Sequence, residues 1–343
     1  MLDTHQEREI LDLYEIALLL NYERTSSEPR FRYTKLREVA SHELDFQTLL
    51  INTPIWTAHK GPKDGFVFQR MEPAVIADSG SREVPDLPSN MLPQIVYPFA
   101  RDITQLAPDR LETIYWQARG HDSCFKSVAI LQHFFDLYTT DPFIRIRLAD
   151  GKEYFSSPST RSIIEYELLT VQRLTIAVVL PENKAYATGS ADQPRFKHAV
   201  VVFESHSYNG GVQTVLDLAS MQFGDTGRGP GHSGKGTLAL ESLDDYHNRL
   251  SSIAAGFRTT KISYHITPDP NEVNEAWMKK VAERAKERWE NRDDHHWCGH
   301  CARPLANGPE LKRCSACRDA YYCHREHQIK AWFSHHKRWC GKP

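Results

Sequence analysis

The last forty-six residues hold six of the chain's seven cysteines, at intervals that leave few folds open to them. Cys298-x2-Cys301 is followed by Cys314-x2-Cys317, then by Cys323-x3-His327 and His336-x3-Cys340. A thiol pair two residues apart spans one tight turn, which aims both sulfurs at a common point. Four such pairs in tandem supply eight soft or borderline ligands, the complement of two tetrahedral Zn²⁺ ions with none left over. Each ion then has four protein ligands and no open position for water, so the sites read as structural rather than catalytic.

Size decides what the metals must do. A segment this short buries too little apolar surface to fold alone. Its aromatic residues, Trp297, Tyr321, Tyr322, Trp332, Phe333 and Trp339, are few. Zinc binding supplies on the order of 10 kcal/mol of folding free energy, so the module is expected to be unfolded without metal.

Cys298-x2-Cys301, Cys314-x2-Cys317, Tyr322-Cys323, Gln328, Trp332 and His336-Lys337-x2-Cys340 resemble the MYND-type zinc finger over roughly residues 298–340. The resemblance implies a cross-brace: Cys298, Cys301, Cys323 and His327 on one zinc, Cys314, Cys317, His336 and Cys340 on the other. It departs from the family pattern twice. His327 stands where cysteine is usual, which imidazole chemistry permits. One extra residue also lies between Trp332 and the final His-Lys pair, so His335 is an alternative to His336. His295, His296, His300 and His324 read as solvated or as neighbours of the ligands.

The resemblance further implies a protein-interaction module that docks short proline-containing peptides of partner proteins. From Arg292 to Pro343 the chain carries ten Lys/Arg and five Asp/Glu, while the remainder is net acidic. That asymmetry suits acidic partners or nucleic acid. The basic residues are scattered, however, and no recognition helix with base-reading side chains stands out, so nucleic acid is the weaker reading. Lysine methyltransferases that contain such fingers carry an asparagine-histidine-cysteine segment after them; none follows here.

Cysteines gathered at metal spacing, with a polar Met1–Arg8 in place of a signal segment, suggest a reducing compartment, cytoplasm or nucleus. The longest apolar runs, Leu174–Leu180 and Ala199–Phe203, are far too short to span a bilayer.

Periodicity predicts an α+β main domain. Helical spacing covers Ile10–Asn21, Asp109–Trp116, Ser123–Thr139, Ser162–Val171 and Leu238–Ile253, with Phe31–Leu50 an interrupted helix. Residues 52–98 are rich in Pro, Gly and Ser without a sustained period. Phe143–Leu148 and Glu153–Phe155 read as a hairpin around Asp150-Gly151. Leu174–Leu180 reads as a buried strand, and His198–Phe203 and Gln213–Leu218 as paired strands. Asp269 and Pro270 look like the N-cap and first residue of a helix running to about Asn291, with an apolar stripe at Val273, Trp277, Val281, Ala285 and Trp289. The expected organisation is a main domain over 1–265, a helical connector over 268–292 and the finger over 295–343, with Trp289 and Trp297 packing the last two together.

The seventh cysteine, Cys124, opens the Ser123–Thr139 helix. The positive field of a helix N-terminus favours thiolate, and the free N–H groups of the first turn suit an oxyanion. His198 begins one strand and Asp217 ends the next. That order is similar to the papain-fold, transglutaminase-like superfamily. The similarity implies Cys124 as nucleophile, His198 as base and Asp217 as the orienting acid, attacking an amide or thioester carbonyl. The alternative is that Cys124 is a small buried hydrophobe, His198 a strand-edge residue and Asp217 the end of a turn.

Gly229-x4-Gly234-Lys235 has the spacing of a phosphate-binding loop, but Gly236 stands where a hydroxyl is needed and no apolar strand leads into Gly229. Residues 224–236 are read instead as a mobile surface loop. Two functions are carried forward. One is an intracellular adaptor acting through the finger. The other is a cysteine hydrolase, deamidase or acyltransferase that uses the finger for targeting.

Overall fold

Strand β1 (Ile10–Asp12) runs straight into helix α1 (Leu13–Ser26), because Asp12 caps the helix by accepting the Glu15 N–H at 3.1 Å. The computed structural model describes residues 9–47, 54–72, 85–93, 103–189, 194–205, 211–231, 234–266, 274–305 and 311–341. After α1 come β2 (Thr34–Ser41), α2 (Pro54–Ala58), β3 (Lys63–Arg70), α3 (Pro108–Gly120) and α4 (Cys124–Asp136). The hairpin β4 (Phe143–Arg147) and β5 (Glu153–Ser156) follows, then β6 (Ser162–Val171), β7 (Leu174–Leu180) and β8 (Lys184–Thr188). Next are β9 (Arg195–Glu204), β10 (Gln213–Asp217), β11 (Ala239–Ser242), α5 (Leu243–Ile253), β12 (Ala254–Ser263) and α6 (Glu275–Glu290). The α+β class expected from periodicity is the class observed.

The largest sheet is antiparallel with order β11-β10-β9-β6-β12. Helices cover both of its faces. Ile163, Ala199, Val201, Phe203 and Leu216 pack with α1, α4 and α6. Ile164, Tyr166, Leu168, Val200, Val202 and Val215 pack with Tyr246, Leu250 and Ile253 of α5. A second sheet, β2-β3-β7-β8, is mixed, with β3 and β7 parallel.

Two-sided burial explains one wrong expectation. Ser162–Val171 is a strand, not a helix. A strand apolar on both faces loses its period-two alternation and can imitate helical spacing. The expected helix Phe31–Leu50 is likewise not formed over its described part: β2 alternates buried and half-buried residues and pairs with β3, while residues 48–50 lie outside the described residues. Strand β3 itself lies in the stretch that showed no sustained period.

The glycine-rich segment, expected to be a surface loop, is tied to the main domain over its described residues. Arg249 donates to the carbonyls of Thr226 (2.9 Å), Arg228 (2.8 Å) and Gly231 (3.0 Å), and pairs with Glu241 at 2.7 Å. The Gly231 N–H donates back to Glu241 Oε2 at 2.7 Å. A buried ion pair thus pins the loop from beneath. Gly227 sits so close to the chain that a Cβ there would lie 1.8 Å from the Ser220 carbonyl oxygen, which only glycine permits.

The predicted start at Asp269-Pro270, and Val273 with it, lie outside the described residues. Helix α6 is capped by the Asn274 side chain, which accepts the Trp277 N–H at 3.0 Å. Its stripe faces inward: Met278, Val281, Ala282, Ala285 and Trp289 join the core of α1 and α4. Helix α6, the expected connector, thus packs its stripe against α1 and α4.

Candidate functional site

The C-terminal segment is built on a two-residue ribbon, β13 (Lys312–Arg313) with β14 (Tyr321–Tyr322), followed by α7 (Arg325–Ala331). A π-helical turn, Trp332–His336, leads into the short helix α8 (Lys337–Trp339). A π turn accommodates one residue more than an α turn. It absorbs the extra residue noted between Trp332 and the His-Lys pair, and so decides between the two adjacent histidines. His336 Nε2 lies 3.4 Å from Cys314 Sγ and 3.6 Å from Cys317 Sγ. His335 turns away, stacks on Tyr14 at 3.8 Å between ring centroids, and bonds the Arg147 carbonyl at 3.0 Å.

Two clusters result, and their members alternate along the chain. Cys298, Cys301, Cys323 and His327 bring their donor atoms within 4.8 Å of one another; so do Cys314, Cys317, His336 and Cys340. Ligands about 2.0–2.3 Å from a tetrahedral zinc are separated by about 3.3–3.8 Å. Cys301 Sγ to Cys323 Sγ at 3.7 Å and Cys298 Sγ to His327 Nδ1 at 3.4 Å fall inside that range, and Cys314 Sγ to Cys340 Sγ at 3.9 Å lies just beyond its upper end. The sulfur pairs are also far beyond disulfide length. The donor sets are Cys₃His, and both fit Zn²⁺ as a structural ion.

None of the flanking histidines belongs to either cluster. His296 stacks on Tyr321, and half-exposed His324 bonds Glu326 at 2.8 Å. His295 is exposed. His300 is buried and contacts Glu112 of α3 at 2.8 Å. The segment docks closely on the main domain. Trp297 Nε1 donates to Glu15 at 2.9 Å, and Trp339 Nε1 donates to the Leu148 carbonyl at 3.0 Å. Between the first cluster and the main domain lies a cleft of about 600 Å³. Leu111, Tyr115 and Trp116 of α3 line it on one side, Cys301, Cys323 and His327 on the other, with Pro88 and Pro108 at its margins.

The structure also brings together Cys124, His198 and Asp217, from α4, β9 and β10. His198 Nε2 lies 2.8 Å from Asp217 Oδ2. The Tyr246 hydroxyl donates to the same carboxylate oxygen at 2.9 Å, and the Ala219 N–H donates to Oδ1 at 2.8 Å. Gln222 Nε2 reaches His198 Nδ1 at 3.1 Å. Burial acts to lower the His198 pKa, but Asp217, with Cys124 adding to it, reverses that and lifts it to about 10. Burial acts to raise the Asp217 pKa, and His198 and Tyr246 hold it below its ordinary value. Each member of the pair thus favours the charged form of the other. Cys124 is 2 % exposed and its thiol points to the Lys197 carbonyl at 3.8 Å. The crevice beside it holds about 10 Å³, too little for more than one water.

Sequence reading missed Tyr246, Gln222 and Glu112. Each lies far along the chain from the group it contacts, and no motif marks it.

A family model described as MYND finger matches residues 298–340. Comparison with curated proteins and with solved structures returned no match. Interleaved Cys₃His clusters, a π turn that selects His336 and the match over the same span agree: residues 298–340 of this chain are a MYND-type zinc finger with ligands for two zinc ions.

Proposed function

We propose that this chain is an intracellular adaptor whose docked finger and main domain together grip a short, apolar, proline-containing segment of a partner protein. The carrying observation is the cleft of about 600 Å³ along the first zinc cluster. Its apolar wall of Leu111, Tyr115 and Trp116 suits proline rings, which pack on aromatic faces at low entropic cost because the extended helix is preformed. Free cysteines in metal spacing fit a reducing compartment, cytoplasmic or nuclear. No helix among the described residues is long and apolar enough to cross a membrane.

The test is a comparison of partner capture by the full chain, by the isolated finger and by Leu111→Arg. Capture by the full chain, lost in Leu111→Arg and absent from the finger alone, supports a cleft shared by both parts. Equal capture by all three overturns it.

A second reading rests on a different observation, the convergence of Cys124, His198 and Asp217. In it Cys124 attacks an amide or thioester carbonyl, His198 exchanges the proton and Asp217 orients the imidazole, for hydrolysis, deamidation or acyl transfer. Neighbouring side chains must move to admit substrate, since the crevice holds no more than a water. Alkylation of the zinc-loaded chain discriminates. Rapid labelling of Cys124 in the folded protein favours the enzyme, with Cys124→Ala abolishing turnover at nearly unchanged stability. Labelling only after unfolding, with a modest stability loss in Cys124→Ala, removes this reading.

A further inference from the structure

We propose that Glu112, a main-domain residue, supports the first zinc cluster from outside its ligand sphere, so that metal retention there depends on Glu112 while retention at the second cluster does not. Glu112 sits on α3 and is 4 % exposed. Its Oε1 meets His300 Nε2 at 2.8 Å, and His300 lies between the ligands Cys298 and Cys301. Its Oε2 is bonded by Lys330, one helical turn beyond the ligand His327. His327 presents Nδ1 to Cys298 Sγ at 3.4 Å and Nε2 to Glu112 Oε1 at 3.6 Å. One buried carboxylate therefore ties together both segments that carry ligands to this metal, the turn 298–301 and helix α7.

The physical consequence is directional. A carboxylate behind a metal-bound imidazole fixes the ring's orientation and strengthens it as a donor. Without that charge, His300 and Lys330 are left buried beside one another with no anion between them, and the two ligand segments lose their common anchor. The second cluster is built differently: His336 is flanked by the rings of Tyr322 and Trp332. Glu112, His300 and His327 also lie close enough to suggest a third metal. Lys330 on the carboxylate and Arg228 at 3.7 Å argue against one, because a cation there would face two fixed positive charges.

The test uses the full chain loaded with two zinc ions, challenged with a chromogenic chelator, and Glu112→Gln, which keeps the size and removes the charge. One zinc per chain is expected to leave roughly ten- to a hundredfold faster than in the parent, the other at the parent rate. The fast zinc should persist when Cys314→Ser is added and vanish when Cys323→Ser is added. Release of both ions at parental rates overturns the proposal, as does equal acceleration of both, which would be general loosening. Should Glu112→Gln fail to fold, His300→Ala removes a single donor and leaves the Glu112–Lys330 pair. The same selective acceleration is expected of it, and unchanged or equal release rates again overturn the proposal.

Discussion

His198 Nε2 and Asp217 Oδ2 are 2.8 Å apart, with both side chains removed from solvent. The pair raises the imidazole to about 10 against an ordinary 6.5, and lowers the carboxylate. Above pH 6.5 the unfolded histidine has lost its proton while the folded one keeps it, so stability drains as pH rises toward 10. On the acid side it is lost as pH falls through the depressed Asp217 value. Urea denaturation of the parent should show a declining free energy from pH 6.5 to 10. Asp217→Asn should flatten that decline and cost about 3–5 kcal/mol near pH 6, because a buried charge loses its partner. An unchanged slope in the variant would count against the pair.

Elemental analysis of the intact chain should find two zinc ions, and Cys314→Ser about one. Stripping both metals should unfold the finger, read as a change in tryptophan fluorescence from Trp297 and Trp339, while the large sheet stays intact. A single ion in the parent would refute the ligand assignment.

The Arg249–Glu241 pair under the glycine-rich loop supports backbone rather than a ligand. Arg249→Met should destabilise the chain by about 3–5 kcal/mol, since it strands Glu241 and three carbonyls in the interior. Chemical denaturation measures it. Added nucleotide should give no compensating stabilisation, and a nucleotide-dependent rise in melting temperature would reopen the phosphate-loop reading.

Met278 of α6 is fully buried among α1 and α4. Met278→Ala should cost about 2–5 kcal/mol through lost burial and a residual cavity. A helix that merely tethered the finger would tolerate the change with a loss below about 0.5 kcal/mol, which the same denaturation experiment would detect.

Ligand spacing was the most legible part of this sequence. Chelation by closely spaced pairs is a local matter, so Cys298-x2-Cys301 and Cys314-x2-Cys317 announce their turns without reference to the rest of the chain. The extra residue before His336 was visible too, but whether His335 or His336 turns toward the sulfurs depends on a π turn and on Tyr14 claiming the other ring. Cys124 at a helix start and His198 and Asp217 on neighbouring strands were readable as positions. That they meet in the buried interior was not.

What the sequence by itself determined is therefore what short-range chemistry controls: two metal clusters, the helix opened by Cys124, and strands such as Leu174–Leu180 whose unbroken apolar run admits little else. Only the tertiary structure decided that Ser162–Val171 is a strand, because helices pack on both of its faces and erase the alternation that would have identified it. It alone brought Tyr246 to Asp217 and Glu112 to His300 and Lys330. Contacts between residues this far apart in the chain follow from how the layers close on one another, and no local pattern encodes them.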